Sequence, residues 1–127
     1  MFNICFFEPE IYLEGGALLL GKVQINEQEE RFAADLKTWS KEEYITHWNA
    51  SSTRFNAENS IVLFCCARGN KSSNIWATVP TDGKTLVYNS ILMNSSIEFI
   101  DHVIVSNSHE EFFRSLRYEE ASSWELD

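Results

Sequence analysis

The chain has 127 residues, 44% of them hydrophobic and 23% charged, with a formal net charge of −9. One globular domain over residues 1–127 fits that length and composition, and intrinsic disorder, collagen and coiled coil are excluded. With 19 acids against 10 bases, the balance opposes general binding to a phosphate backbone, which needs clustered Lys and Arg.

The charge is uneven along the chain. Residues 1–58 hold ten acids and five bases, residues 59–97 one acid and three bases, and residues 98–127 eight acids and two bases. Acidic ends of this kind are ordinary solvated surface, or an electrostatic face for a cationic partner. The start, Met-Phe-Asn-Ile-Cys-Phe-Phe, has no basic region of a secretory signal. Ala17-Leu18-Leu19-Leu20 falls far short of the ~20 apolar residues of a membrane span. The three cysteines, Cys5, Cys65 and Cys66, are odd in number and two are adjacent in an apolar run. That points to buried thiols and a cytoplasmic protein rather than a disulfide framework.

In chain order, residues 2–7 read as a strand stopped by Pro9, and Glu14-Gly15-Gly16 as a turn. Residues 17–25 form a second strand, with Val23 and Ile25 on one face and Lys22 and Gln24 on the other. Asn26 to Glu30 is polar and reads as a turn. Arg31 to Leu36 returns as a third strand with Phe32 inward, although Ala33 and Ala34 equally allow helix.

Ser40-Lys41-Glu42-Glu43 fits a capping box, and Tyr44, Trp48, Ser51 and Phe55 then recur at helical spacing. This predicts an amphipathic helix over residues 41–57, its aromatic stripe packed in the core. Ser60 to Ala67 is continuously apolar, as a central strand covered on both faces would be. Residues 68–73 are a polar turn, and Asn74 to Val79 is a strand closed by Pro80. Asp82-Gly83 is a hairpin signal, and Thr85 to Leu92 is the return strand. In the tail, His102 to Val105 suggests a strand, Ser108-His109-Glu110-Glu111 a shorter C-terminal helix, and Ser123 to Leu126 a last strand. The class is α+β: a mainly antiparallel twisted sheet with one principal amphipathic helix and a shorter C-terminal one.

Catalytic signals are thin. No phosphate-binding glycine loop or nucleophile elbow is present, and His47, His102 and His109 lie in different segments. Glu43 and His47 stand four residues apart on one helix, which reads as a cap and a surface ion pair before it reads as an acid–base couple. Cys65 has apolar neighbours, which raise a thiol's pKa and oppose a nucleophile's role. Trp39, Trp48, Trp76 and Trp124 are aromatic enough for stacking on single-stranded nucleic acid, but the middle segment supplies only Arg68, Lys71 and Lys84 to line a groove. Two further classes therefore stay behind the binding-module reading: a small enzyme built on Glu43–His47 or Cys65, and a sheet-based nucleic-acid-binding domain.

One constellation spans most of the chain. Val23-Gln24-Ile25-Asn26-Glu27-Gln28-Glu29-Glu30-Arg31-Phe32 is followed by Leu36, Thr38-Trp39-Ser40-Lys41-Glu42-Glu43-Tyr44 and His47-Trp48. Trp76, Val87-Tyr88-Asn89 and Ser122-Ser123-Trp124-Glu125 follow. In order and spacing it resembles the immunity proteins of contact-dependent growth inhibition systems, the CdiI group. The Trp-Ser-Lys-Glu-Glu-Tyr block before Trp48 carries most of the likeness. The resemblance implies a cytoplasmic immunity protein that neutralises a cognate toxin's C-terminal domain, often a nuclease, as a monomer in a 1:1 complex. Neither turnover nor a cofactor is implied. A nuclease carries a positive surface, which an acidic inhibitor complements. Two acidic clusters are the expected toxin-binding surfaces. The primary one is Glu27, Glu29 and Glu30 in a loop, with Glu42 at the helix entry. The second is Glu119 and Glu120, with Glu125 and Asp127.

Overall fold

The computed structural model describes residues 1–57, 60–93 and 122–126. They form two four-stranded antiparallel sheets and one long helix, where the sequence suggested one sheet. The first sheet contains β1 (Phe2–Phe6), β2 (Tyr12–Leu13), β3 (Leu18–Ile25) and β4 (Gln28–Asp35). β4 pairs with β3 along its whole length, so β1 and β2 share the other side of β3 end to end. Burial alternates without a break along β3: Leu19, Gly21, Val23 and Ile25 face inward, while Lys22 and Gln24 face outward. Gly21 is required by packing, because the Phe32 ring lies across it and a Cβ there would collide with Phe32 Cζ.

The third strand is a strand and not a helix, and it starts three residues before the expected Arg31. The chain turns in only two residues, Asn26 and Glu27, with Asn26 in the left-handed region at φ 55°. Gln28, Glu29 and Glu30 are therefore not loop. They pair with Ile25, Gln24 and Val23. Their polarity reflects position rather than disorder, since this end of the outer strand meets solvent. Asn26 also ties three segments together. Its N–H donates to Met1 O at 2.7 Å, its Oδ1 accepts from the Met1 ammonium at 3.0 Å, and its Nδ2 donates to Glu125 O at 2.9 Å.

The helix α1 runs over Lys41–Ala57. Its capping box is complete: Ser40 Oγ accepts from Glu43 N–H at 3.2 Å, and Glu43 Oε1 accepts from Ser40 N–H at 3.1 Å. Tyr44 and Trp48 are buried and Phe55 packs against the same cluster, as the helical spacing predicts.

The second sheet has the order β5 (Val62–Arg68), β6 (Ser72–Thr81), β7 (Lys84–Met93) and β8 (Ser122–Glu125). The β6–β7 hairpin turns at Asp82-Gly83, both with positive φ (48° and 76°), which suits the right-handed twist of the strands. Pro80 does not close β6. It lies inside the strand opposite Thr85, one residue from the Thr81–Lys84 pair at the turn. That places it at a position where its missing N–H costs no bond to β7.

β5 is apolar from Val62 to Ala67 and buried on both faces from Val62 to Cys66, yet within the described sheet it is an edge strand and not a central one. Its neighbours point to opposite sides. Val62, Phe64 and Cys66 join Ile4, Phe6, Val23, Phe32 and Trp48 between the sheets, while Leu63 and Cys65 join Ile75, Ala77, Val79 and Leu92 on the far face. The final strand, β8, forms one residue earlier than the expected Ser123 to Leu126 and packs Trp124 against Trp76, ring centroids 5.3 Å apart and planes tilted by 40°. The expected His102–Val105 strand and the shorter C-terminal helix lie outside the described residues.

Candidate functional site

The residues with most chemical potential are consumed by structure. α1 lies along the open side of β5 and satisfies its backbone. Trp48 Nε1–H donates to Cys65 O at 2.8 Å, and Ser51 Oγ–H to Leu63 O at 2.6 Å. His47 Nε2 accepts from Cys65 N–H at 2.8 Å, and the Tyr44 hydroxyl accepts from Arg68 N–H at 2.9 Å while donating to Asp35 O. His47 is 7% exposed and turned toward β5. The surface ion pair expected between Glu43 and His47 is thus replaced by two separate duties: Glu43 caps the helix and His47 seals a strand.

Cys65 and Cys66 are fully buried. Burial pushes the Cys66 thiol well above its usual range, with a further rise from neighbouring Cys65. Tyr44 is likewise raised, chiefly by burial. Trp39 is packed between elements, 5.2 Å from the Tyr44 ring and 5.1 Å from His47, with the Arg68 guanidinium 4.9 Å over its face. Among the described residues no group of three or more His, Cys, Asp or Glu is arranged to hold a metal ion. No helix among them is long and apolar enough to cross a membrane.

The acidic residues do not gather as the sequence suggested. Glu27 sits exposed in the β3–β4 turn. Glu29 and Glu30 are neighbours on a strand and so leave it on opposite faces. Glu29 lies 3.2 Å from Arg31 Nε and 3.8 Å from Lys22 Nζ, and Glu30 accepts from Gln28 at 3.0 Å. On that outer face Lys22 and Arg31 both lie 5.3 Å from the Phe7 ring centre, so one carboxylate meets two cations. Glu42 stands at the other end of the molecule. Lys41 beside it pairs with Glu10, beyond the Phe6 end of β1, whereas the Asn26–Glu27 turn is bonded to Met1 at the opposite end. About 25 Å of strand separates the two ends. Glu125, from the second expected cluster, lies next to the Asn26 turn and 3.7 Å from Lys84 Nζ. Glu119, Glu120 and Asp127 lie outside the described residues.

Sequence reasoning missed a different acidic group. Glu8 and Glu10 follow β1, and Glu10 bonds to the Tyr12 hydroxyl and to Lys41 at 3.0 Å. Those two partners, Tyr12 first, hold the Glu10 carboxyl below its ordinary range. Glu8 acts on Lys41, and Glu42 on Tyr12, through space. Two carboxylates, Glu10 and Glu8, thus act on the Lys41 ammonium at the entry of α1, and Glu42 stands near the Tyr12 hydroxyl that bonds Glu10. A cis bond precedes Pro9 between Glu8 and Glu10, a turn that residue spacing alone does not announce.

No family model matches the sequence, and no curated protein matches it. Among solved structures, the chain is similar to a chain of the CdiA-CT/CdiI toxin and immunity complex from Enterobacter cloacae, with a TM-score of 0.68 and 17% identity. The likeness covers 100% of this chain and 90% of that one. At that identity it establishes a shared fold.

Proposed function

We propose that the protein is an immunity protein of the contact-dependent growth inhibition type. It binds a cognate toxin domain and neutralises it as a stoichiometric 1:1 complex in the cytoplasm. The observation that carries this reading is a fold shared over the whole chain with a member of a toxin and immunity complex. The net charge of −9 supports it independently, because an acidic inhibitor is drawn quickly to a protein built to grip nucleic acid. The toxin is then a basic nuclease domain. The engagement of His47, Tyr44, Trp48 and Cys65 in sealing β5 supports a binding role over a catalytic one.

Of the expected acids, Glu42 is the best placed for contact, because it shares the helix entry with Glu8 and Glu10, near Tyr12 and Lys41. Glu27, with Glu125 nearby, presents a second acidic edge. Glu29 is largely neutralised by Lys22 and Arg31, and Glu30 points to the other face. Glu119 and Glu120 remain proposed contacts from charge alone.

The test is growth rescue. The reading frame immediately upstream is expected to encode the end of a large secreted protein with a toxin domain. Cells expressing that domain should die alone and grow when this protein is co-expressed. Death despite folded, abundant protein would defeat the reading.

A further inference from the structure

The two strands flanking α1 differ in one respect that bears on how a partner is held. β1 is an edge strand, paired only with β3. Phe7 N–H donates to Leu20 O and Asn26 N–H to Met1 O, so the odd-numbered residues spend their backbone bonds on β3. Antiparallel alternation then turns the N–H and C=O of Ile4 and Phe6 away from β3. No described residue bonds to those groups. They open into a groove of about 380 Å³ whose far wall is one stripe of α1: Lys41, Ile45, Asn49 and Ser52. Ile45 is 37% exposed there, and Trp48 also lines the groove, so the wall offers apolar surface between Lys41 and the polar Asn49 and Ser52.

We infer that this groove takes an extended segment of the toxin as an added strand on β1, an inference that rests on the immunity reading above. Backbone groups left unpaired on an edge select a backbone partner, since each strand residue offers an N–H and a C=O at the spacing β1 presents. Ile4 and Phe6 supply two donors and two acceptors. Ile45 meets an apolar side chain of the segment, and Asn49 and Ser52 offer polar side chains beside it. The mouth sets the charge of the occupant. Lys41 is ion-paired with Glu10, and Glu8 lines the groove without an ion pair to a described residue, so the segment carries Lys or Arg where it passes Glu8. A second copy of this chain fits poorly at that mouth, because it would bring acids to acids.

The experiment is amide hydrogen exchange on the protein alone and mixed with the purified toxin domain encoded upstream, with affinity measured for two variants. In the complex, exchange at the Ile4 and Phe6 amides should slow at least tenfold. Asn49→Trp, which fills the groove from an exposed helix position, should weaken binding at least tenfold with an unchanged melting temperature. Ala50→Trp, exposed but outside the groove, should bind as the parent does. Tight binding with unchanged Ile4 and Phe6 exchange would overturn the groove and leave the immunity reading standing. Absence of any binding would remove both. Self-association of the free protein that Asn49→Trp abolishes would give the groove to a second copy and overturn the assignment to the toxin.

Discussion

β5 and β1 are both edge strands beside the same helix, and α1 treats them in opposite ways. Toward β5 it presents Tyr44, His47, Trp48 and Ser51, each bonded to a strand backbone group. Toward β1 it presents Lys41, Ile45, Asn49 and Ser52 across a groove, and no bond to the strand is formed. An open edge invites pairing with other chains, and proteins usually blunt it. Here one edge is closed by side chains that reappear about every fourth residue, and the other stays available. Which face of a helix carries bonding aromatics and small hydroxyls therefore decides which sheet edge is finished and which can receive a partner.

The sharpest way to break the comparison is at Trp48, which contributes both a core ring and a bond to Cys65 O. Trp48→Ala should destabilise by about 3–5 kcal/mol in equilibrium urea unfolding. A loss below about 1 kcal/mol would mean the helix does not anchor β5.

The sealed side should also fail at high pH. Cys66 and Tyr44 are both raised in the folded state by burial. For a raised group, the stability it contributes is intact below its unfolded pKa and is lost as pH climbs toward the folded value. Unfolded Cys titrates at about 8.5 and Tyr at about 10, and each group contributes a slope of up to about 1.4 kcal/mol per pH unit. The urea midpoint should hold from pH 7 to 8 and fall steadily from pH 9 to 11. Cys66→Ala should remove the earlier part of that fall.

Ser51→Ala isolates a single seal. It strips the donor from Leu63 O in a buried site, at a cost of about 1–2 kcal/mol. On the open side Ser52→Lys, one residue along, touches no strand bond and should shift stability by less than about 0.5 kcal/mol. Equal effects at Ser51 and Ser52 would erase the difference between the two edges.

Much of this architecture was legible from residues alone, where a short pattern has one physical solution. Asp82-Gly83 between two β-rich runs turns as expected, and Ser40 with Glu43 caps α1 as the capping box requires. What was not legible depends on tertiary neighbours. Ser60 to Ala67 reads as a central strand because an apolar run records burial on two faces but not what lies along its edge. Only the fold shows that a helix stands there. Gln28, Glu29 and Glu30 read as loop because polar residues mark turns and outer strands alike. Their true placement divided the expected acidic surface, since strand geometry sends Glu29 and Glu30 apart and eight residues of β4 separate Glu27 from the helix entry. Glu8 and Glu10 gained their importance from Lys41, some thirty positions away, a proximity no local pattern encodes.

Under the proposed function, the protein acts by occupying a toxin and not by turnover. The most direct test is titration of a fixed amount of the upstream-encoded toxin domain, with nuclease activity followed as the protein is added. Activity should fall in a straight line and vanish at one equivalent, with an unmodified toxin recovered after the complex is denatured and separated. Loss of activity at a small fraction of an equivalent, or toxin recovered chemically altered, would show catalysis and contradict the account.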